Sequence, residues 1–218
     1  MNITMFLASI CLLCFLNSCT GSSNRLGYES DENDTAITLE EKSIEAVDSD
    51  TVVCEVYEPP ISSGLPEVYS DGRMKINFPS SWQIVQKNSR VTTHTTIAVQ
   101  IMEKERNDYD FRPNVNVIFS REKHSEPTSQ LARMSYNQAK EAGFAASLIG
   151  ISDCEIDNCN GSVAEYTATI EGYKLHIYQY IVKKPDNSTI TITMTLDHEK
   201  LNQQKNIAQE IINSIIIY

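Results

Sequence analysis

Two cysteines lie close together in the second half of the chain. Cys154 and Cys159 stand in the stretch DCEIDNCNG, on either side of a predicted turn. In an oxidising compartment these thiols could form a local disulfide, which would contribute about 2 kcal/mol in the chain-entropy model. Two unpaired thiols are the alternative, because the sequence does not fix the distance between their Cα atoms. No second pair of ligands follows nearby, so no metal site is predicted.

The four histidines are scattered along the chain, at His94, His124, His176 and His198. His176 falls on the polar phase of a predicted strand. A G-x-S-x-G elbow, a phosphate-binding P-loop and an H-E-x-x-H helix are all missing. We therefore predict no catalytic residue and no cofactor, although a catalytic site can also assemble from residues that meet only in the fold. Trp82, in FPSSWQI, could be a ligand platform, but a lone tryptophan is more often a core residue.

A short apolar run begins the chain and leads to a cysteine. Residues 3–16 read ITMFLASICLLCFL, which is shorter than the roughly 20 residues that span a membrane as a helix. This length is typical of the core of an export signal, although no Lys or Arg precedes the run. The segment LNSC resembles the lipobox of bacterial lipoproteins. Leu16, Ser18 and Cys19 match the lipobox pattern, and Asn17 is an unusual residue within it.

The lipobox resemblance implies that residues 1–18 are a signal peptide and that Cys19 carries diacylglycerol. Cys11 and Cys14 would leave with the signal. Two or three acyl chains hold a protein stably on a membrane, whereas one chain holds it only marginally. The implied location is the bacterial cell envelope, on the outer membrane, facing the periplasm or the cell surface. The alternative is an ordinary signal cut nearby, which would leave Cys19 as a free thiol.

Negative charge is concentrated directly after this cysteine. Residues 19–65 contain 11 acidic and 2 basic residues, which gives −9 of the formal net charge of −11. Such a segment buries too little apolar surface to offset its ordering entropy, so we predict a disordered acidic tether. It is long enough to hold a domain roughly 40 Å from its anchor. The chain has no basic stripe for phosphates, so no nucleic-acid partner is predicted.

The tether contains three further residues of chemical interest. Thr35 and Thr51, in DTA and DTV, match a short motif that some bacteria O-glycosylate on exported proteins. Cys54 is left over and is either free or paired between molecules. The acidic stretch SDENDT lacks the glycine and the later glutamate of a calcium-binding loop, so we expect no calcium site there.

Residues 66–218 are enough for one domain with its own core. The clearest strand is STITITMTL, in which threonine alternates with apolar residues, and this predicts one buried face and one wet or lightly covered face. LIGISDCEI, SVAEYTATI and KLHIYQYIVKK alternate too, and short turns join all four segments into a meander. PEVYS and MKINFP flank DGR and predict a hairpin, and HTTIAVQIME and NVNVIFSRE predict two more strands.

Two helices accompany these strands. The first covers residues 125–144 and ends near Gly143, with an apolar side formed by Leu131, Met134, Ala142 and Phe144. The second begins at Asp197 as the N-cap, with an apolar stripe formed by Leu201, Ala208, Ile211, Ile212 and Ile215. Two helices packed on one antiparallel sheet form an α+β domain.

The order of these elements resembles the PsbP-like group, which includes DcrB-type bacterial lipoproteins. The resemblance covers roughly residues 66–217 and rests on INFPSSW, RPNVNVIF, the meander and a terminal helix that closes on INSI. It implies an antiparallel sheet with packed helices and an accessory, assembly or chaperone-like binding role without catalysis. The cysteine pair and the acidic tether are not part of that pattern, and no functional residue is carried over.

We therefore expect a membrane-anchored envelope lipoprotein whose domain binds or assists another envelope protein. One alternative is a chaperone or a toxin-neutralising, immunity-like protein that grips an apolar segment, which predicts a large exposed apolar patch or groove. A second alternative is a hydrolase, which predicts a pocket where histidine, carboxylate and hydroxyl groups converge.

Overall fold

The computed structural model describes residues 64–104 and 111–218. Cys19, Thr35, Thr51 and Cys54 lie outside these residues, as do the expected signal peptide and nearly all of the expected tether, and these assignments stay predictions. Within the described part of the chain, no helix is both long and apolar enough to cross a membrane.

The described strands form two antiparallel sheets. The smaller sheet has the order β1-β2-β10 and consists of β1 (Glu67–Ser70), β2 (Met74–Phe78) and β10 (Ile216–Ile217). The larger sheet consists of β3 (Trp82–Arg90), β4 (Thr95–Glu103), β5 (Asn114–Ser120), β6 (Ser147–Ile156), β7 (Cys159–Ile170), β8 (Tyr173–Lys183) and β9 (Thr189–Asp197). Its order is β3-β4-β5-β9-β8-β7-β6. Helix α1 (Thr128–Glu141) joins β5 to β6, and α2 (Leu201–Asn213) joins β9 to β10.

The predicted meander is confirmed as β6 to β9, each strand pairing with the next. Two-residue turns fix its first two hairpins. Asp157 and Asn158 join β6 to β7 with φ of 47° and 60°, and Glu171 and Gly172 join β7 to β8 with φ of 50° and 87°. Two successive left-handed residues match the twist of paired strands, so these turns set the register beside them. Further from the turn, the β6–β7 pairing shifts register between Leu148 and Gly150.

The sequence patterns did not reveal β3 or β10. Residues of β3 do not alternate, since WQIVQKNSR lies at the edge of the large sheet and is largely exposed beyond Trp82. Strand β10 has only two residues, and its pairing with β2 completes the smaller sheet. The domain is α+β as predicted, with two sheets where one was expected.

Helix α2 and the smaller sheet cover one face of the large sheet. The predicted stripe of α2 is confirmed, because Ala208, Ile211, Ile212 and Ile215 are buried and Leu201 packs against the same core. Their partners on β9 are the apolar residues of the alternating strand, Ile190, Ile192, Met194 and Leu196. Each isoleucine buried in this way contributes about 1.5–3 kcal/mol relative to an exposed one.

The predicted N-cap of α2 is wrong. Asp197 is the last residue of β9, where it pairs with Leu175, and α2 begins at Leu201 with no side-chain cap. The Asp197 carboxylate instead accepts the backbone N–H of Glu199 at 2.9 Å. Strand pairing therefore extends further along the chain than the cap pattern indicated.

Helix α1 lies on the other face of the large sheet, and its predicted apolar side is only partly correct. Leu131 is buried, but Met134 is 41% exposed, and the residues against the sheet include Ala132, Ser135, Tyr136 and Ala139. The side of α1 that faces the sheet differs from the predicted side because Ser135, a polar residue, donates a hydrogen bond to Gln179 of β8. The helix ends before Gly143, which has a φ of 88°, as predicted.

Candidate functional site

The threonine side of β9 belongs to the α1 face and is not wet. All four threonines are buried, at Thr189, Thr191, Thr193 and Thr195. Thr193 is part of a row of polar side chains that crosses five neighbouring strands, which we call the polar row. The members of the polar row lie directly opposite one another on adjacent strands. They are Gln86 of β3, Gln100 of β4, Asn116 of β5, Thr193 of β9 and Gln179 of β8.

Hydrogen bonding along the polar row is uneven. At its β8 end, the Gln179 carbonyl accepts the Ser135 hydroxyl at 2.8 Å, and the Gln179 amide donates to Thr193 at 3.5 Å. In the middle, Asn116 is 3% exposed, yet neither its Nδ2 nor its Oδ1 has a hydrogen-bond partner. Nδ2 of Asn114, two residues away on the same face of β5, is also buried and unpaired. Buried polar groups in native structures almost always have partners.

The two described helices cover this region unequally. Helix α1 packs against β6, β7 and β8, and α2 packs on the opposite face. The β4–β5 half of the α1 face is nevertheless buried, because Gln100 is 2% exposed and Asn114 and Asn116 are each 3% exposed. The side chains that flank the polar row there include Ile97, Ile118 and Met102, which lie on the same face by register.

A groove of about 160 Å³ lies between α1 and strands β8 and β9 and is hereafter the α1 groove. Its lining residues are Glu122, His124, Glu126, Leu131, Met134, Ser135, Gln138, Ile181, Thr189 and Thr191. Thr191 is two residues before Thr193, so the floor of the groove continues towards the polar row. At one end, His124 Nδ1 lies 3.8 Å from the Glu126 carboxylate. The α1 groove thus combines an apolar wall, hydroxyl groups and an acidic end.

A second cavity, of about 540 Å³, lies beside Trp82. It is lined by Ser81, Trp82, Glu103, Lys104, Phe111, Arg112, Pro113, Lys200, Gln203, Gln204 and Ile207. Part of this lining serves the fold, because Gln204 accepts the backbone N–H of Asp197 at 2.9 Å and Lys104 donates to the Ser80 carbonyl at 2.6 Å. Trp82 is itself a core residue, 2% exposed, as predicted.

The structure brings two of the four histidines together. His176 is buried, its Nε2 lies 2.7 Å from Glu165 Oε1, and its ring stacks on that of His198 at 5.8 Å. Tyr178 lies on the same face, and burial together with Glu165 raises the pKa of its hydroxyl. His94 remains separate, in an exposed turn before β4.

This histidine pair does not form a catalytic arrangement. A base that activates a nucleophile must hydrogen-bond to it, and the other ring nitrogen of His176, Nδ1, has no hydrogen-bond partner. Across residues 64–104 and 111–218, no three histidine, cysteine or carboxylate side chains are placed to hold a metal ion.

Cys154 and Cys159 are free thiols in the structure. The register places Cys154 opposite Gly161 and Cys159 opposite Ile156, so the cysteines are diagonal rather than direct neighbours. Diagonal positions are about 7–8 Å apart, which exceeds the usual Cα separation of a disulfide. Burial, followed by the charge of Asp153, raises the pKa of Cys154 to about 12. A thiol with so high a pKa is protonated near neutral pH and is therefore a poor nucleophile.

Sequence reasoning missed the His176–Glu165 contact and the polar row for different reasons. The contact could have been found, because the two-residue turn at Glu171 and Gly172 fixes the β7–β8 register. The polar row could not have been found in the same way, because its Asn116–Thr193 pairing joins two strands that are far apart in sequence.

No protein-family model matches the chain, and no curated protein matches it. Among solved structures, the chain is similar to cyanobacterial PsbP from Synechocystis sp. PCC 6803, with a TM-score of 0.54 and 16% identity over 72% of this chain and 95% of that one. LpqN, described as involved in cell envelope biogenesis of Mycobacterium tuberculosis, gives a TM-score of 0.49 and 12% identity, over 68% of this chain and 87% of LpqN. The Ran-binding protein Mog1p of Saccharomyces cerevisiae gives a TM-score of 0.46 and 9% identity, over 67% of this chain and 90% of Mog1p.

These likenesses concern the fold alone. The strands and helices described above match the cyanobacterial PsbP over nearly its whole length, as the element order of the sequence predicted. The described part of this chain therefore has a PsbP-like α+β fold.

Proposed function

We propose that this chain is a lipid-anchored envelope lipoprotein whose PsbP-like domain binds a protein partner and catalyses no reaction. In this proposal, residues 1–18 are removed, Cys19 holds the lipid, residues 19–65 form the tether, and residues 66–218 form the binding domain. The envelope location rests on the LNSC segment and the apolar run before it.

One observation carries the binding role: the α1 groove places the apolar side chains of Leu131, Met134 and Ile181 beside the hydroxyl groups of Thr189 and Thr191. A groove of this kind suits a binding role, since it combines apolar side chains with hydrogen-bonding groups. The hydrolase alternative is less well supported, because His176 has no nucleophile bonded to its second ring nitrogen. A toxin-neutralising protein would use the same groove and would differ only in its partner.

Labelling with a palmitate analogue in a bacterial host tests the anchor. The wild-type protein should take up label, and Cys19→Ala should take up none. Equal labelling of the two proteins would contradict the lipoprotein assignment. Intact-mass measurement of the same samples tests Thr35 and Thr51, because glycans would add hexose-sized increments that disappear in the double alanine variant.

Photo-cross-linking in intact cells tests the binding role. A benzoylphenylalanine at Met134, which is 41% exposed on the groove wall, is compared with one at Ile149, which is 57% exposed on β6. We expect a protein adduct of one defined mass at Met134 and none at Ile149. Absence of any adduct at Met134, or the same adducts at both positions, would contradict a partner in the α1 groove.

A further inference from the structure

The cavity of about 540 Å³ beside Trp82, hereafter the Trp82 cavity, is separate from the α1 groove. The two share no lining residue. Sites for small molecules have volumes of about 300–1,000 Å³, and the Trp82 cavity falls within this range. The α1 groove, at about 160 Å³, falls below it. The Trp82 cavity is therefore the better candidate for a small ligand.

Apolar side chains form one part of the cavity lining. Trp82, Phe111 and Pro113 are buried, and Ile207 of α2 is half-buried. Strand pairing holds this wall in place, because Trp82 pairs with Glu103 of β4. The Glu103 backbone N–H in turn donates to the Pro113 carbonyl at 3.0 Å. The apolar wall is therefore preformed, and it suits a ring or a short alkyl chain.

Positively charged side chains form another part of the lining. Among the described residues around the cavity, Lys104, Arg112 and Lys200 are cationic, and Glu103 is the one that carries a carboxylate. Residues 66–218 as a whole contain 18 acidic and 16 basic residues, so the lining reverses the charge balance of the domain. The three cations follow β4, precede β5 and precede α2, respectively. They therefore converge only in the fold.

Lys104 is positioned by hydrogen bonds at the end of β4. Its Nζ donates to the Ser80 carbonyl at 2.6 Å, and its backbone N–H donates to the Ser81 carbonyl at 2.7 Å. An ammonium group has three protons, so Nζ can also donate to a ligand. The Ser81 hydroxyl and the Gln203 amide add uncharged hydrogen-bonding groups to the lining.

The charges of the lining select the class of ligand. A cation would meet three like charges, and an uncharged molecule would gain no charge-assisted hydrogen bond. An anionic group would gain such bonds, which are roughly twice as strong as those between neutral groups. Cations in a concave, partly apolar site also raise the local concentration of anions.

We propose that the Trp82 cavity binds a small organic anion. Its apolar body lies against Trp82, Pro113 and Ile207, and its anionic group lies at Lys104, Arg112 and Lys200. This inference goes beyond the proposed function, because it assigns a second site and a small-molecule ligand to the domain.

Solution NMR with two matched probes tests the inference. 1-Naphthalenesulfonate combines an aromatic body with one negative charge, and 1-naphthalenemethanol has the same body without the charge. Each probe is titrated into the ¹⁵N-labelled protein, made from its complete sequence, with the free probe concentration measured after dialysis. The chain has one tryptophan, so the Trp82 indole N–H gives a single resonance that reports on the cavity wall.

Three lysine variants locate the anion. Lys200→Gln and Lys104→Gln each remove one charge from the lining, and Lys87→Gln removes the same charge from an exposed position on β3 outside the cavity. The sulfonate should shift the Trp82 resonance saturably and bind at least tenfold more tightly than the alcohol. Lys200→Gln should weaken sulfonate binding about threefold to fivefold, the double variant with Lys104→Gln about tenfold, and Lys87→Gln less than twofold. If Lys200→Gln fails to fold, Lys104→Gln alone carries the comparison.

Three results would overturn the inference: no shift of the Trp82 resonance with the sulfonate, equal affinity for the two probes, or equal effects of the cavity variants and Lys87→Gln. These results leave the proposed function untouched, because cross-linking at Met134 reports on the α1 groove, which has no lining residue in common with the cavity. Saturable sulfonate binding without any Met134 adduct would instead support this inference while contradicting the proposed function.

Discussion

Replacing Asn116 with leucine should stabilise the unbound protein, which is an unusual outcome for a buried residue. Leucine has the same γ-branched shape, and it removes a donor group and an acceptor that are buried without partners. An unpaired buried group costs about 1–3 kcal/mol, so Asn116→Leu should raise the free energy of unfolding by roughly 1–3 kcal/mol after some loss to tighter packing.

Gln179→Leu is the matched control in the same polar row. Gln179 is 2% exposed, close to the value for Asn116, but its amide is bonded to Ser135 and Thr193. Its removal leaves the Ser135 hydroxyl buried and unpaired, so this variant should lower the free energy of unfolding by about 1–3 kcal/mol. The two substitutions therefore have opposite expected signs.

Urea unfolding measures both variants through the chain's single tryptophan, Trp82, which is buried in the core. For a chain of this size, each kcal/mol corresponds to about 2–4 °C in the melting temperature, so a thermal scan should show the two variants on opposite sides of wild type. If Asn116→Leu destabilises the protein as much as Gln179→Leu, then the Asn116 side chain has a hydrogen-bond partner in the folded protein and the reasoning from unpaired groups is wrong.

Three further predictions concern the scaffold. Burial raises the pKa of Tyr69 to about 12, from about 10 in the unfolded chain. The free energy of unfolding should therefore fall as the pH rises from about 10 to 12, because the unfolded chain then loses this proton more readily than the folded protein. Urea unfolding at several pH values should show a weaker dependence on pH for Tyr69→Phe. A Cβ at Gly161 would lie 2.6 Å from a backbone carbonyl oxygen of β8, whereas a Cβ at Gly150 would meet nothing within 4 Å. Gly161→Ala should therefore lower the free energy of unfolding by about 1–3 kcal/mol, and Gly150→Ala should lower it far less. Equal shifts in the melting temperature of the two variants would contradict this prediction. Cys154 should react slowly with iodoacetamide near neutral pH in the native protein, because its thiol is protonated. Reductant should leave the mass of the protein unchanged, since Cys154 and Cys159 are free thiols. An increase of two mass units on reduction would reveal a Cys154–Cys159 disulfide.

Local periodicity accounts for most of what the sequence revealed about the fold. The meander could be predicted because β7 to β9 alternate and short turns connect them, and the α2 stripe could be predicted because its isoleucines recur at helical spacing. Strand β3 escaped detection because an exposed edge strand has no buried side to create alternation. The face of α1 was misjudged because Ser135, a polar residue, lies against the sheet and Met134 does not.

The candidate site was harder to predict than the fold, because it depends on pairing between distant segments. Asn116 meets Thr193 only because β9 inserts beside β5, after α1 and three intervening strands of the chain. The threonines of β9 were expected on a wet or lightly covered face for the same reason, since nothing in their own strand indicates what lies beside it. The free Cys154 and Cys159 likewise follow from a register that places them at diagonal positions.

Photo-cross-linking through Met134 gives the most direct test of the central claim, that the α1 groove binds a protein partner. In intact cells, a benzoylphenylalanine at Met134 should capture one protein of defined mass, and one at Ile149 should capture none. A Met134 variant that captures nothing, or the same proteins as the Ile149 variant, would contradict the claim.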